Sequence, residues 1–172
     1  MLNRGNNREN LFIEERNYRY FLQFYAKYLS PVADTFAYSL LGNHFHLLIR
    51  VKDSAERSER AERSDHLDPA TRAFTSLFQS YAMAINKGYN RTGKLFQEHF
   101  ARIEVTSDDY FTHLIFYIHF NPQKHGFVKD FRAWPWSSYS AMLSNQPTKM
   151  QRDEVRAWFN GASSSPSFTR AS

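Results

Sequence analysis

His44 and His46 are separated by a single residue in the run at positions 36–51, FAYSLLGNHFHLLIRV. Side chains of an extended strand alternate between its faces, so imidazoles at i and i+2 point the same way from a stiff support. Neutral imidazole is a common metal ligand, and this spacing suits two ligands of one ion. A histidine-bearing sheet face with no metal gives the same pattern, and on this stretch alone the two readings stand level. A second group lies further along. His113, Tyr117 and Asn121 are spaced i, i+4, i+8, which lines them along one face of a helix. A tyrosine and an asparagine one turn apart can be a nucleophile beside a metal ligand. A half-buried tyrosine and a helix-ending asparagine produce the same spacing.

The elements that must hold these residues follow from periodicity. The run at 36–51 reads as a hairpin. Phe36, Tyr38 and Leu40 share one face of its first strand, and Gly42-Asn43 is a two-residue turn. In the return strand Phe45, Leu47, Ile49 and Val51 face one side, and His44, His46, Leu48 and Arg50 the other. A helix is expected over 14–29, carried by Tyr18, Phe21, Leu22, Tyr25 and Leu29 and stopped by Ser30-Pro31. Asp68-Pro69 opens a second helix, with Phe74, Leu77, Phe78, Tyr81 and Ile85 as its buried stripe and Gly88 at its end. Alternation at 95–105 suggests a strand. Ser107 with Asp108 and Asp109 caps a third helix, expected to run to Asn121, where Pro122 breaks it. Trp134 and Trp136 in WPWSSY are expected to pin that segment to the core.

At 172 residues the chain has the size of one domain with an appendage. The expected division is a catalytic-type domain at 1–145 and a C-terminal extension at 146–172. The extension ends in a serine-rich disordered tail. The near-repetitive KDSAERSERAERSDH, at 52–66, reads as the body of a flexible insert over 52–67 whose Arg and Glu largely cancel. The formal charge of +5 leans towards an anionic partner such as nucleic acid. With no cysteine, disulfides, thiolate metal sites and cysteine nucleophiles are excluded. No apolar run approaches membrane-spanning length and no charged-then-apolar leader opens the chain, so a cytoplasmic protein is expected.

Three pieces then combine in order: GNHFHLLI, then LIFYIHFNPQKHGFV, then WPWSSY, with LNRGNN before them and GKLFQ between. Together they resemble the single-tyrosine HUH transposases, closest to the REP-associated tyrosine transposases, over most of the chain. The resemblance implies an α+β fold, a ferredoxin-like or RRM-like antiparallel sheet with helices packed on it. It places the two histidines on a central strand and the tyrosine on a helix beside it. It also implies that His44, His46 and Asn121 bind a divalent cation, Mg²⁺ or Mn²⁺, and that Tyr117 is the nucleophile. The partner it implies is single-stranded DNA with an adjacent hairpin, handled by a monomer or a homodimer with no membrane involved. The family carries a strand before its Asn-Arg-Gly text, where this chain has Met1 and Leu2. A shortened first strand, or a start taken at an internal methionine, is therefore expected.

The chemistry implied is phosphodiester nicking. Attack by Tyr117 would leave a 5′-phosphotyrosine and a free 3′-hydroxyl, and a second strand end can reverse the step without ATP. Two imidazoles and an amide bring no negative charge, which leaves the cation's charge for phosphate. His113 faces with Tyr117 on a helix and is the proton partner by that criterion, whereas His119 does not. Arg4, Arg8, Arg91, Lys94 and Arg102 are candidates for backbone contacts. Two rival readings use the same residues. One is a nucleic-acid-binding module that has lost catalysis. The other is a zinc hydrolase built on the histidine pair, which lacks an acidic third ligand at motif spacing.

Overall fold

Alternation at 36–51 becomes a hairpin whose second strand is the centre of the sheet. The computed structural model describes residues 1–52, 68–98 and 101–159. Strand β1 is Leu2–Arg4, β2 is Ala33–Leu41 and β3 is His44–Val51, all antiparallel in the order β1-β3-β2. Helix α1 (Glu15–Tyr28) follows β1, and α2 (Pro69–Gly88) follows the hairpin. Then come α3 (Asp108–Lys124), a short α4 (Tyr139–Leu143) and α5 (Arg152–Phe159). This is an α+β fold with helices on both faces of the sheet. The expected insert beyond Lys52 and the expected tail from Gly161 lie outside the described residues. Among the described residues no helix is long and apolar enough to cross a membrane.

Two apolar clusters flank the sheet. On one face Leu40, Phe45 and Leu47 pack against Phe21 and Tyr25 of α1, Leu29 just after it, and Phe74, Leu77 and Tyr81 of α2. On the other, Phe36, Ala37 and Leu48 pack against Phe111, Ile115 and Ile118 of α3, with Met142 and Val155 closing the cluster. Phe36 therefore does not share a face with Leu40. A register irregularity between Thr35 and Ala37 turns Phe36 towards α3, as an extra residue in one strand of a pair does.

Two expected boundaries move. No strand forms at 95–105 among the described residues. Instead, Phe96 bridges Gly5 and Ala101 bridges Leu2. Edge strand β1 offers only three residues, too few to carry a longer ladder, and Ile103 is left 66% exposed. Helix α3 does not stop at Pro122 but runs through it to Lys124. Proline's fixed φ is helical, and what the helix loses is one N–H donor. Burial of the Pro122 ring offsets that loss, and His125 N–H, donating to Asn121 C=O at 2.9 Å, closes the last turn.

The loop between β1 and α1 is tied to the hairpin turn. Gly5 N–H donates to Asn43 C=O at 2.8 Å, and the Leu11 and Phe12 amides both donate to Gly42 C=O. A side chain at Gly5 would overlap the Glu9 carbonyl, which accounts for the glycine of the Asn-Arg-Gly text. WPWSSY is pinned as expected. Trp136 stacks on Tyr18 at 4.7 Å, and Trp134 Nε1–H donates to Leu40 C=O at 2.9 Å. Its second serine joins β2 to α3. Ser138 Oγ accepts from Tyr38 N–H at 2.9 Å and lies 2.7 Å from Nε2 of the buried His119.

Two consequences follow for stability. Tyr81 is fully buried, and its hydroxyl donates to Leu11 C=O at 2.7 Å. Tyr81→Phe orphans that carbonyl and is expected to cost about 1–2 kcal/mol in urea denaturation. A loss within error would mean water replaces the hydroxyl. Burial also holds the His119 imidazole down, from its usual 6.5 to about 4. Between those pH values the unfolded chain binds a proton that the native chain refuses, so stability falls as pH drops from 6.5 towards 4. At ~1.4 kcal/mol per pKa unit the His119 share is on the order of 3 kcal/mol. Urea midpoints at pH 7 and pH 4.5 should converge in His119→Gln relative to the parent. An unchanged difference would show that His119 titrates normally.

Candidate active site

Asn43 sets the orientation of the first histidine. Its side-chain oxygen lies 2.7 Å from His44 Nδ1. A carboxamide oxygen only accepts, so Nδ1 carries the proton and Nε2 keeps its lone pair. His44 and His46 leave β3 on the side that faces α3, their ring centroids 5.2 Å apart. Tyr117 reaches them from α3, its ring centroid 5.7 Å from that of His46 in an edge-on arrangement at 89°. The Tyr117 side remains 38% exposed, so a ligand can reach it.

Asn121 lies one turn further along α3 and is fully buried. Its Nδ2–H donates to Tyr117 C=O at 2.7 Å, the i→i−4 back-bond open to short polar side chains. That bond fixes the amide so that Oδ1 is left over. Asn121 Oδ1 and His46 Nε2 are buried with no hydrogen-bond partner, as is the hydroxyl of Ser39, which pairs with His46 across the strands. Unsatisfied buried polar atoms are costly, about 1–3 kcal/mol each, and are uncommon in native proteins. An amide oxygen and imidazole lone pairs are the donor types a divalent cation takes, so these residues fit a metal of the Mg²⁺ or Mn²⁺ class. Among the described residues, no three His, Asp or Glu side chains converge into a metal site. The acidic third ligand of a zinc hydrolase is absent from that set.

The electrostatics are one-sided. Burial first, then the neighbouring positive groups, push His44 down to about 4 and His46 to about 3. The groups acting on His44 are His125 and Arg4, and on His46 also His44 and the N-terminal amine; no carboxylate is among them. Both imidazoles are therefore neutral near pH 7, as ligands must be. Arg4 lies opposite His44 in the β1–β3 register, on the same face. The other cations expected to meet DNA are differently placed. Arg91 is ion-paired with Glu9 and Lys94 with Glu98. Arg8 and Arg102 are exposed.

His113 is exposed on α3. The imidazole that does approach the pair is His125, whose ring is 5.2 Å from that of His44. Lys124 also comes in, its Nζ 4.9 Å from the centre of the Tyr117 ring. Sequence reasoning missed both because it ended the helix at Pro122. Continued for one turn, the same helix places Lys124 at i+7 from Tyr117, on the same face. A cavity of about 170 Å³ opens beside Tyr117 and His46, between Met1, Leu2, Leu48 and Tyr110. A larger apolar one of about 320 Å³ lies between α3, α4 and α5, lined by His119 but not by His44 or His46.

No protein-family model and no curated protein matched the sequence. Among solved structures, the chain is similar to a REP-associated tyrosine transposase bound to a REP hairpin. The match has a TM-score of 0.62 at 17% sequence identity, over 85% of this chain and 79% of the other. The likeness read from GNHFH, YIHFNP and WPWSSY thus has a counterpart in three dimensions: the chain shares the fold of that transposase.

Proposed function

We propose that this chain is a metal-dependent enzyme that nicks and rejoins single-stranded DNA through a 5′-phosphotyrosine formed on Tyr117. The observation that carries the reading is the meeting of Tyr117 with His46 across the β3–α3 interface, beside donor atoms that nothing among the described residues satisfies. The hairpin-bound transposase of the same fold supports DNA as the partner. When bound by His44, His46 and Asn121, a Mg²⁺ or Mn²⁺ ion would draw negative charge from the scissile phosphate.

The chain's own residues do the rest. Packing of α3 on the sheet holds the Tyr117 ring, so the phenol oxygen arrives at one place. The His44 and His46 rings stay neutral and keep their lone pairs. Arg4 offers charge to the DNA backbone from the strand next to His44. Because the covalent ester preserves the energy of the broken bond, a 3′-hydroxyl from another end can take the strand back.

Incubation with Mn²⁺ and single-stranded hairpin oligonucleotides should give an adduct that survives SDS. Tyr117→Phe should abolish the adduct and leave binding within about threefold, since the hydroxyl acts only in chemistry. An adduct persisting in that variant would show that the nucleophile lies elsewhere. Binding with no adduct from the wild-type chain would leave a DNA-binding module without catalysis. Arg4→Ala should weaken binding at every sequence alike and lower the slope of log affinity against log salt by about 1. A loss confined to particular sequences would instead make Arg4 a base reader.

A further inference from the structure

Several cations near the sheet and its helices have a carboxylate of their own. Arg50 is held by Asp34 and Glu154, Arg91 by Glu9, Arg132 by Asp130 and Lys94 by Glu98. Two cations at the Tyr117 site do not. Lys124 is exposed and has no ion pair among the described residues; its ammonium lies over the Tyr117 ring at 4.9 Å. Arg4 has no ion pair among the described residues and stands in register with His44. An open ammonium over the Tyr117 ring, with a second open cation beside His44, favours an anion at this site.

A lysine in the last turn of a helix is favoured by the helix dipole whatever its surroundings. That accounts for a lysine here but not for its position over this ring. Nor does the cation–π contact need Tyr117 to be reactive. What both accounts leave unexplained is that the ammonium over this ring has no ion pair among the described residues.

We infer that Lys124 is the residue that holds the phosphodiester group Tyr117 attacks, with Arg4 bracketing that group from β1. The inference rests on the strand-transfer reading given above. In the step, the phenol oxygen forms a bond to phosphorus and the bond from phosphorus to the 3′-oxygen breaks. The phenol gives up one proton and the leaving 3′-oxygen takes up one. The diester carries one negative charge before and after, so Lys124 keeps its proton and its ion pair throughout. Charge concentrates on the phosphoryl oxygens only between those two states, and there a fixed ammonium helps most. The same contact serves the reverse step, in which the strand is rejoined.

The test is single-turnover cleavage of a labelled hairpin oligonucleotide at saturating protein, with binding measured separately. Lys124→Met keeps the stem over the ring and removes the charge. Its cleavage rate is expected to fall about 10²-fold, with affinity changed no more than about threefold. Lys124→Arg restores a cation and should recover to within about tenfold of the wild-type rate. Thermal melting confirms that the variants fold, and Lys124→Gln substitutes for Met if the latter does not. A Met or Gln variant cleaving at the wild-type rate would overturn the inference. So would a defect confined to affinity, or an Arg variant as slow as the uncharged one. If the wild-type chain forms no adduct, the strand-transfer reading fails and takes this one with it. An active wild type with an indifferent Lys124 refutes the clamp alone.

Discussion

Between β3 and α3 the protein buries polar atoms and gives them nothing to bond. His46 Nε2, Asn121 Oδ1 and Ser39 Oγ are all sealed in this layer without partners. Such atoms oppose folding, so the apolar packing around them must be strong enough to hold α3 in place regardless. It is supplied from both sides. Phe45 and Leu47, alternating with the histidines, are driven into the cluster under α1 and α2. Ile115 and Ile118, flanking Tyr117 on its helix, lock onto Ala37 and Leu48. The polar atoms are thus carried into the interior by neighbours that gain from burial, and the interface keeps open valences where a ligand can use them.

The same interface decides the charge state of the site. Imidazoles that are buried, with Arg4 and no carboxylate among the charged groups acting on them, stay neutral near pH 7. Neutral rings stand beside Arg4 in the strand register and beside Tyr117, which carries the Lys124 ammonium over its ring, and neither cation has an ion pair among the described residues. An anion is attracted there, and a cation held by the neutral rings would keep its charge for that anion. This differs from a carboxylate-rich metal site, which spends much of the ion's charge on its own ligands.

Three lesser contacts keep the arrangement in register. Asn43 holds the tautomer of His44, and the carbonyls of the same turn bind Gly5, Leu11 and Phe12, so strand, turn and N-terminal loop move together. Ser138 ties Tyr38 of β2 to His119 of α3, while the two tryptophans fasten its segment to Tyr18 and Leu40. Asn121 restrains Tyr117 through its backbone carbonyl rather than through its ring. The ring is left to be positioned by His46 on one side and Lys124 on another.

What the sequence decided by itself is what local periodicity and chain stereochemistry control. The alternation at 36–51 committed His44 and His46 to one face of a strand. The spacing of Tyr117 and Asn121 committed them to one face of a helix. Asp68-Pro69 and Ser107 started their helices where they stand. Three features were decided only in the folded molecule. Pro122 stays inside α3 because tertiary burial of its ring outweighs one lost hydrogen bond, and that extra turn delivers Lys124 and His125 to the site. The stretch at 95–105 has the composition of a strand but meets a three-residue edge. Phe36 turns towards α3 because a register shift, invisible in the alternation, falls beside it. Periodicity describes one element at a time. Which face meets which, and which charges end up unpaired, depends on packing between elements far apart in the chain.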